Sequence, residues 1–307
     1  MSYCISRREF VKLLAATGMV LPFNPFAYRL TADLRYSDNL GVQLYTIRDL
    51  LKDNPAAILN AVAQIGFKHV ELHDNTILNQ LVPLLREVGL KITSTHITPA
   101  LVTGNWEMLE RSGISPQTKD VDSVISEVRK HDVEYVVFSW IHPDERGGLD
   151  SYLKLAEQLN VAGEKCNASE IKLCYHTHSF EFEPMDNSTP FRILESETDP
   201  DLVYFEFDSF WISIAGLDPV EFLQKHGSRC QLMHLKDLKR GIPVAYDSPE
   251  TNDAFEEVGD GVVNFPELLK TAKGFDISYC YVEQDHTPHS PIVSLRQSFQ
   301  YLHNLNL

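Results

Sequence analysis

Lys172-Leu-Cys-Tyr-His-Thr-His178 is a short apolar run that ends in polar side chains, and the chain repeats the pattern. Leu202-Val-Tyr-Phe-Glu-Phe-Asp208, Gln231-Leu-Met-His-Leu-Lys-Asp237 and Ser278-Tyr-Cys-Tyr-Val-Glu283 follow it. Upstream, residues 41–46, 69–73, 91–96 and 135–141 have the same β-branched and aromatic character, which marks strands. Between these runs lie longer stretches of helical period. Pro55-Ala-Ala-Ile-Leu-Asn-Ala-Val-Ala-Gln-Ile65 carries proline at a helix start and is closed by Gly66, and residues 218–226 open on Asp218-Pro219 and stop at Gly227. Eight strand–helix alternations over about 265 residues predict an α/β fold, a (β/α)8 TIM barrel. A doubly wound sheet is the weaker alternative, because Gln43-Leu-Tyr45 follows the first strand where a glycine-rich phosphate loop belongs.

With 307 residues, 43% of them hydrophobic, the chain has enough apolar side chain for a large core. A net charge of −16 disfavours nucleic acid or an anionic membrane surface as a partner. The five cysteines show no metal-ribbon spacing, and Cys174, Cys230 and Cys280 fall in apolar runs. No disulfide framework is expected. At the other end, Ser6-Arg-Arg-Glu-Phe-Val-Lys12 precedes the apolar run 13–21 and Pro22. This resembles a twin-arginine export signal, so residues 1–27 are set apart from a single barrel domain at 28–307. Export to the periplasm, with either cleavage or retention as an N-terminal tether, is the expectation it raises. Two connections, 98–117 and 239–265, exceed what a barrel needs, and both follow the carboxyl ends of strands, where barrel active sites lie.

Polar tips on successive strands have to be explained, because a barrel strand normally ends in side chains that fill the core. Strands about 4.8 Å apart would bring His176, Asp208, His234 and Glu283 together, where carboxylates repel one another unless a cation binds. Two imidazoles and two carboxylates suit manganese, cobalt, zinc or iron better than magnesium, which prefers oxygen donors alone. An ion so held keeps open positions, polarises a carbonyl and stabilises the enediolate left by loss of the neighbouring proton.

Tyr175-His-Thr-His-Ser-Phe-Glu-Phe182, Phe205-Glu-Phe-Asp208, Met233-His-Leu-Lys-Asp237 and Val258-Gly-Asp-Gly-Val-Val-Asn264 resemble motifs of the xylose isomerase-like TIM-barrel superfamily, in its sugar phosphate isomerase/epimerase branch. The resemblance runs from about Gly41 to the C-terminus. It implies one divalent ion on His176, Asp208, His234 and Glu283, and it places His96 and Glu71 at pocket-lining positions and Lys236 at a substrate-binding one. Two residues depart from the epimerase pattern: His176 stands where a glutamate belongs, and Trp211 where a histidine follows the strand-tip aspartate.

Candidate proton-transfer groups are His178, His96, Lys236 and Glu283. Trp140 and Trp211 are candidates to stack on a sugar, with Glu71 and Lys236 as further substrate contacts. Glu206 reads as structural, one pleat from the ligand face, and the alternative for His178 is that strand alternation turns its side chain away from the site. Asp285 and His286 read as ligand-orienting partners or loop residues. The expected function is metal-dependent isomerisation or epimerisation of an unphosphorylated carbohydrate. A lyase acting on 3-keto-glycosides by the same first step, and a barrel that only binds carbohydrate, remain open alternatives. Oligomer formation is also left open.

Overall fold

A computed structural model describes residues 39–111, 120–246 and 253–305. The signal-like segment 1–27 lies outside the described residues, as do 112–119 and 247–252 within the two long connections. Eight parallel strands close on themselves: β1 (Leu40–Gln43), β2 (His69–Leu72), β3 (Lys91–Ile97), β4 (Tyr135–Phe138), β5 (Lys172–His176), β6 (Val203–Asp208), β7 (Cys230–Leu235) and β10 (Tyr279–Val282). Closure is made by β1, which pairs with β10 through Gly41 and Tyr281 and with β2 through Gly41 and His69. The barrel is therefore the observed fold, and the open doubly wound sheet is excluded. Gly41 is required by the closure: a side chain there would start 2.5 Å from the Tyr281 ring, which fills the space instead.

Local chemistry sets the element ends. Asn54 caps helix Pro55–Ile65 by accepting from the Ala57 N–H at 3.2 Å, and Asp218 caps Pro219–His226 through the Val220 and Glu221 N–H groups. The first strand stops earlier than its apolar pattern suggests. The Gln43 side chain accepts from the Tyr45 N–H at 3.1 Å and turns Leu44–Ile47 into a 3-10 helix. No helix among the described residues is long and apolar enough to cross a membrane.

After β7, the chain forms a short antiparallel pair, β8 (Asp237–Leu238) with β9 (Phe255–Glu256). Asp237 holds the far side of this connection, accepting from the N–H groups of Leu238 and Gly259 at 2.9 Å, Gly261 at 2.9 Å and Val263 at 3.0 Å. Gly261 admits that approach, since a Cβ would sit 2.3 Å from the Asp237 carboxylate and 2.4 Å from the Leu238 carbonyl oxygen. Urea titration should therefore find Gly261→Ala less stable than wild type by about 2 kcal/mol, the usual cost of overpacking. The neighbouring exposed Val262→Ala should stay within about 0.5 kcal/mol.

Candidate metal centre

Side chains on a strand return to one face every second residue, so each strand delivers a ladder of inward groups that climbs toward its carboxyl end. Leu232, His234 and Lys236 form one ladder, Cys174, His176 and His178 a second, Glu206 and Asp208 a third, and Tyr281 and Glu283 a fourth. The lowest rungs are an apolar layer of Tyr135, Val137, Cys174, Leu232, Tyr279 and Tyr281. Above it the rungs become ionisable, and two groups of potential metal donors stack along the axis: Glu71, His96, Glu206 and His234, then His176, Asp208, His234 and Glu283. Within each group the donor atoms lie within 4.8 Å of one another.

The upper group unites the four strand-tip residues singled out in the sequence. His234 Nδ1 stands 2.8 Å from Glu283 Oε2 and 3.6 Å from Asp208 Oδ2, and His176 Nε2 is 3.4 Å from Asp208 Oδ2. Both ring nitrogens of His176 are buried without a hydrogen-bond partner, whereas His234 Nδ1 faces the Glu283 carboxylate and Asp208 Oδ2 the Lys236 ammonium. Donor atoms from four strands gathered this closely, with the His176 ring left unpartnered, fit a divalent ion, and their mixed nitrogen and oxygen character fits a transition metal or zinc. Asp208 is aimed by its other oxygen, which accepts from the Phe210 and Trp211 N–H groups at 2.8 and 3.1 Å and caps helix Ser209–Ile214.

The lower group orients the upper one. Glu71 Oε1 accepts from Gln43 Nε2 at 2.8 Å and pairs with His234 Nε2 at 2.6 Å. A proton on that nitrogen leaves Nδ1 to face the upper group, the usual arrangement of a carboxylate behind a metal-binding histidine. Glu71 is thus fully buried beneath the site and not on the pocket wall expected of it, because its place on the β2 ladder is one rung lower. Glu206 also differs from expectation. It stands two positions before Asp208, so it shares the inward face, and its Oε2 lies 3.3 Å from both His96 Nε2 and His234 Nε2.

Electrostatics follow from this crowding. Burial works against an imidazolium at His96, but the Glu71 and Glu206 carboxylates outweigh it and raise its pKa to about 9. Burial likewise opposes charge on His234, and Glu206 and Glu283 drive its pKa well above the ordinary value; positive charge is stabilised at this ring. Burial and the neighbouring His234 keep His176 neutral, the form that binds metal. His178 is held well below the usual histidine range by burial and by His176. Despite burial, Lys236 stays charged beside Asp208 at 3.1 Å, Asp285 at 2.8 Å and Glu283 at 2.7 Å.

Over the upper group opens a cavity of about 480 Å³. His96, His176, His178, Lys236 and Glu283 line it, with Trp140 and Trp211 on its walls. His178 faces inward, as the two-residue spacing from His176 requires, with ring centres 4.6 Å apart; its other neighbours are Phe180 and Trp211. Lys236 pairs with Asp285 across the cavity edge, whereas His286 packs beside Phe255. Tyr45 and His73 also line the cavity and were missed in the sequence, although each stands two residues beyond an inward group, Gln43 and Glu71. Glu181 supports the His178 turn from below, accepting from the Tyr175 hydroxyl at 2.6 Å and the His178 N–H at 2.8 Å. Burial pushes its pKa up to about 7.

Comparison with known proteins places the geometry in context. Residues 59–305 match the family described as xylose isomerase-like TIM barrel. Among curated relatives, inosose dehydratase 2 of a Bacillus cereus strain is 28% identical over 160 residues, 50% of this chain and 51% of that protein. The chain thus spans about half the length of that relative. An inosose dehydratase of Clostridium botulinum is 25% identical over 240 residues, 72% of this chain and 79% of that protein. Among solved structures, a sugar phosphate isomerase/epimerase from Parabacteroides distasonis superposes with a TM-score of 0.69 at 22% identity, covering 87% of this chain and 96% of that one. At that identity the likeness is one of fold.

Elemental analysis of purified protein should find close to one equivalent of divalent transition metal or zinc, and His176→Ala and Glu283→Ala should each retain under about a tenth of it. Glu71→Gln should weaken metal affinity by about 10–100-fold, as loss of an orienting carboxylate does. Glu181 makes a separate prediction. Its folded pKa lies above the ordinary value of 4.5, so its contribution to stability is full below pH 4.5 and is lost as pH rises through about 7. Thermal melts from pH 5 to 8 should show wild type losing ground to Glu181→Gln, on the order of 2 kcal/mol in all.

Proposed function

Since this chain belongs to the xylose isomerase-like TIM barrel family, we propose that it isomerises or epimerises an unphosphorylated sugar or sugar derivative through an enediolate. The observation that carries the reading is the convergence of donor atoms from His176, Asp208, His234 and Glu283, with the His176 ring unpartnered, at the floor of an open cavity. A divalent ion held there supplies the positive charge that stabilises the oxyanion formed when the proton beside a carbonyl is lost; the imidazole donors favour manganese, cobalt, iron or zinc over magnesium.

The chain's own residues supply the proton traffic. His178 is neutral and on the cavity wall, so it can take a proton from substrate and return it. Glu283 is held in its ionised form by Lys236 and His234, with its pKa lowered although burial opposes this; it serves better as ligand than as base. His96, protonated at the cavity floor, can donate a hydrogen bond to a substrate oxygen. Trp140 and Trp211 offer ring faces for stacking against a sugar. Among the described residues the one ammonium on the cavity wall, Lys236, is already held by three carboxylates, an arrangement that supports a substrate without phosphate. In this reading the twin-arginine-like N-terminus is an export signal, the protein works in the periplasm, and small carbohydrates are its partners.

The inosose dehydratase relatives favour a second reading, in which the same proton loss beside a ketone is followed by departure of the group on the next carbon. Water would leave from a cyclic keto-polyol and the glycosidic oxygen from a 3-keto-glycoside. His176 and Trp211, the two departures from the epimerase pattern, accord with this outcome as well.

Incubation of metal-loaded protein with keto sugars and 3-keto-glycosides in heavy water separates the readings. Deuterium entering beside the carbonyl with all other bonds intact is the result expected for isomerisation or epimerisation, and release of water or aglycone is that expected for elimination. His178→Ala should slow exchange at least about 100-fold, within the range for general-base loss. Saturable carbohydrate binding with neither exchange nor release on any of these compounds would leave only a binding barrel.

A further inference from the structure

A second cavity of about 410 Å³ opens beside the first and shares a wall with it, formed by Tyr45, His73, Ser139 and Trp140. Each volume falls within the range of about 300–1,000 Å³ typical of ligand sites, so each has room for a ring of its own. Their chemistry differs. The first cavity is lined by His176 and Glu283 of the upper donor group and by Lys236; the second is walled by Ile97, Pro99 and Ala100 and carries none of the upper donors. At its edge Asn105 Nδ2 donates to Glu145 Oε1 at 3.0 Å, so these two polar groups satisfy one another.

The shared wall has a further property. Among the described residues, the large aromatic side chains left exposed are Tyr45, at 37%, and Trp140, at 39%, and both stand on it. Exposed aromatic surface at the junction of two cavities is the usual mark of a surface that packs against a ligand. The wall is built from the chain just beyond the carboxyl ends of two neighbouring strands: Tyr45 in the 3-10 helix after β1, and His73 directly after β2, two residues beyond Glu71 of the lower donor group.

We infer that the substrate is a sugar ring carrying an apolar, ring-bearing substituent, such as an aromatic glycoside: the sugar sits over the metal donors and its substituent enters the second cavity past Tyr45 and Trp140. This rests on the carbohydrate reading of the first cavity and adds to it a substituent that neither a free keto sugar nor an inosose possesses.

Binding of unoxidised ligands tests the inference without turnover. Titration calorimetry on the full, metal-loaded chain would compare phenyl with methyl glycosides of glucose and galactose, matched in anomeric configuration. The phenyl member of at least one pair should bind about tenfold tighter or more, as expected for burial of one ring. Thr103 lines the second cavity and not the first, and Thr103→Trp, which fills that space, should bring the ratio below about twofold. Matched pairs that bind alike, or fail to bind, would overturn the inference, as would a phenyl advantage that survives Thr103→Trp intact. A retained phenyl advantage together with no deuterium exchange on keto-glycosides would sink the enediolate chemistry and leave the second cavity assigned.

Discussion

Four buried carboxylates, Glu71, Glu206, Asp208 and Glu283, share the barrel axis with buried imidazoles and one buried ammonium. Compensating that charge is the constraint the rest of the molecule serves. Removing a carboxylate from water without a counter-charge is prohibitive, so each of them is matched by position. His96 answers Glu71 and Glu206, Lys236 answers Asp208, Glu283 and Asp285, and His234 stands between the layers with one nitrogen for each. The unpartnered ring nitrogens of His176 mark where that matching is incomplete among the described protein groups.

The same economy explains why support residues do two jobs. Asp208 caps the following helix with one oxygen and presents the other to the donor group, so the helix start fixes the ligand. Glu71 sets the orientation of His234 from beneath. Asp237, next to Lys236, gathers the N–H groups of a distant loop and so pins the connection whose other end carries Lys236. Below, the tyrosine-rich layer keeps water from the floor of the axis, and its hydroxyls are satisfied internally, Tyr281 with Thr93 at 2.8 Å and Tyr135 with Ser278 at 2.7 Å.

Much of this is legible in the chain. Apolar runs ended by His176, Asp208, His234 and Glu283 are local patterns, and parallel strands cannot avoid bringing their tips to one end of a closed barrel. Depth along the axis is not a local property. It depends on the stagger between neighbouring strands, which closure imposes. Register shifts between Val70 and Glu71 on β2 and between Phe205 and Glu206 on β6 are invisible in either strand alone. They place Glu71 and Glu206 beneath the upper donor group, so Glu71 pairs with His234 and does not line the cavity. His178 and His73 were in principle readable by counting in twos, whereas Tyr45 is placed by the 3-10 helix that follows β1.

By itself the sequence determined the alternation of eight strands with helices, the barrel class, and the four strand-tip candidates, because periodicity, caps and residue type are written in neighbouring positions. Tertiary structure decided which carboxylates lie in which layer, which nitrogen of His234 faces the donors, and that a second cavity adjoins the first. Those features depend on strand stagger and on loops meeting across the mouth of the barrel, and both are set only when the sheet closes.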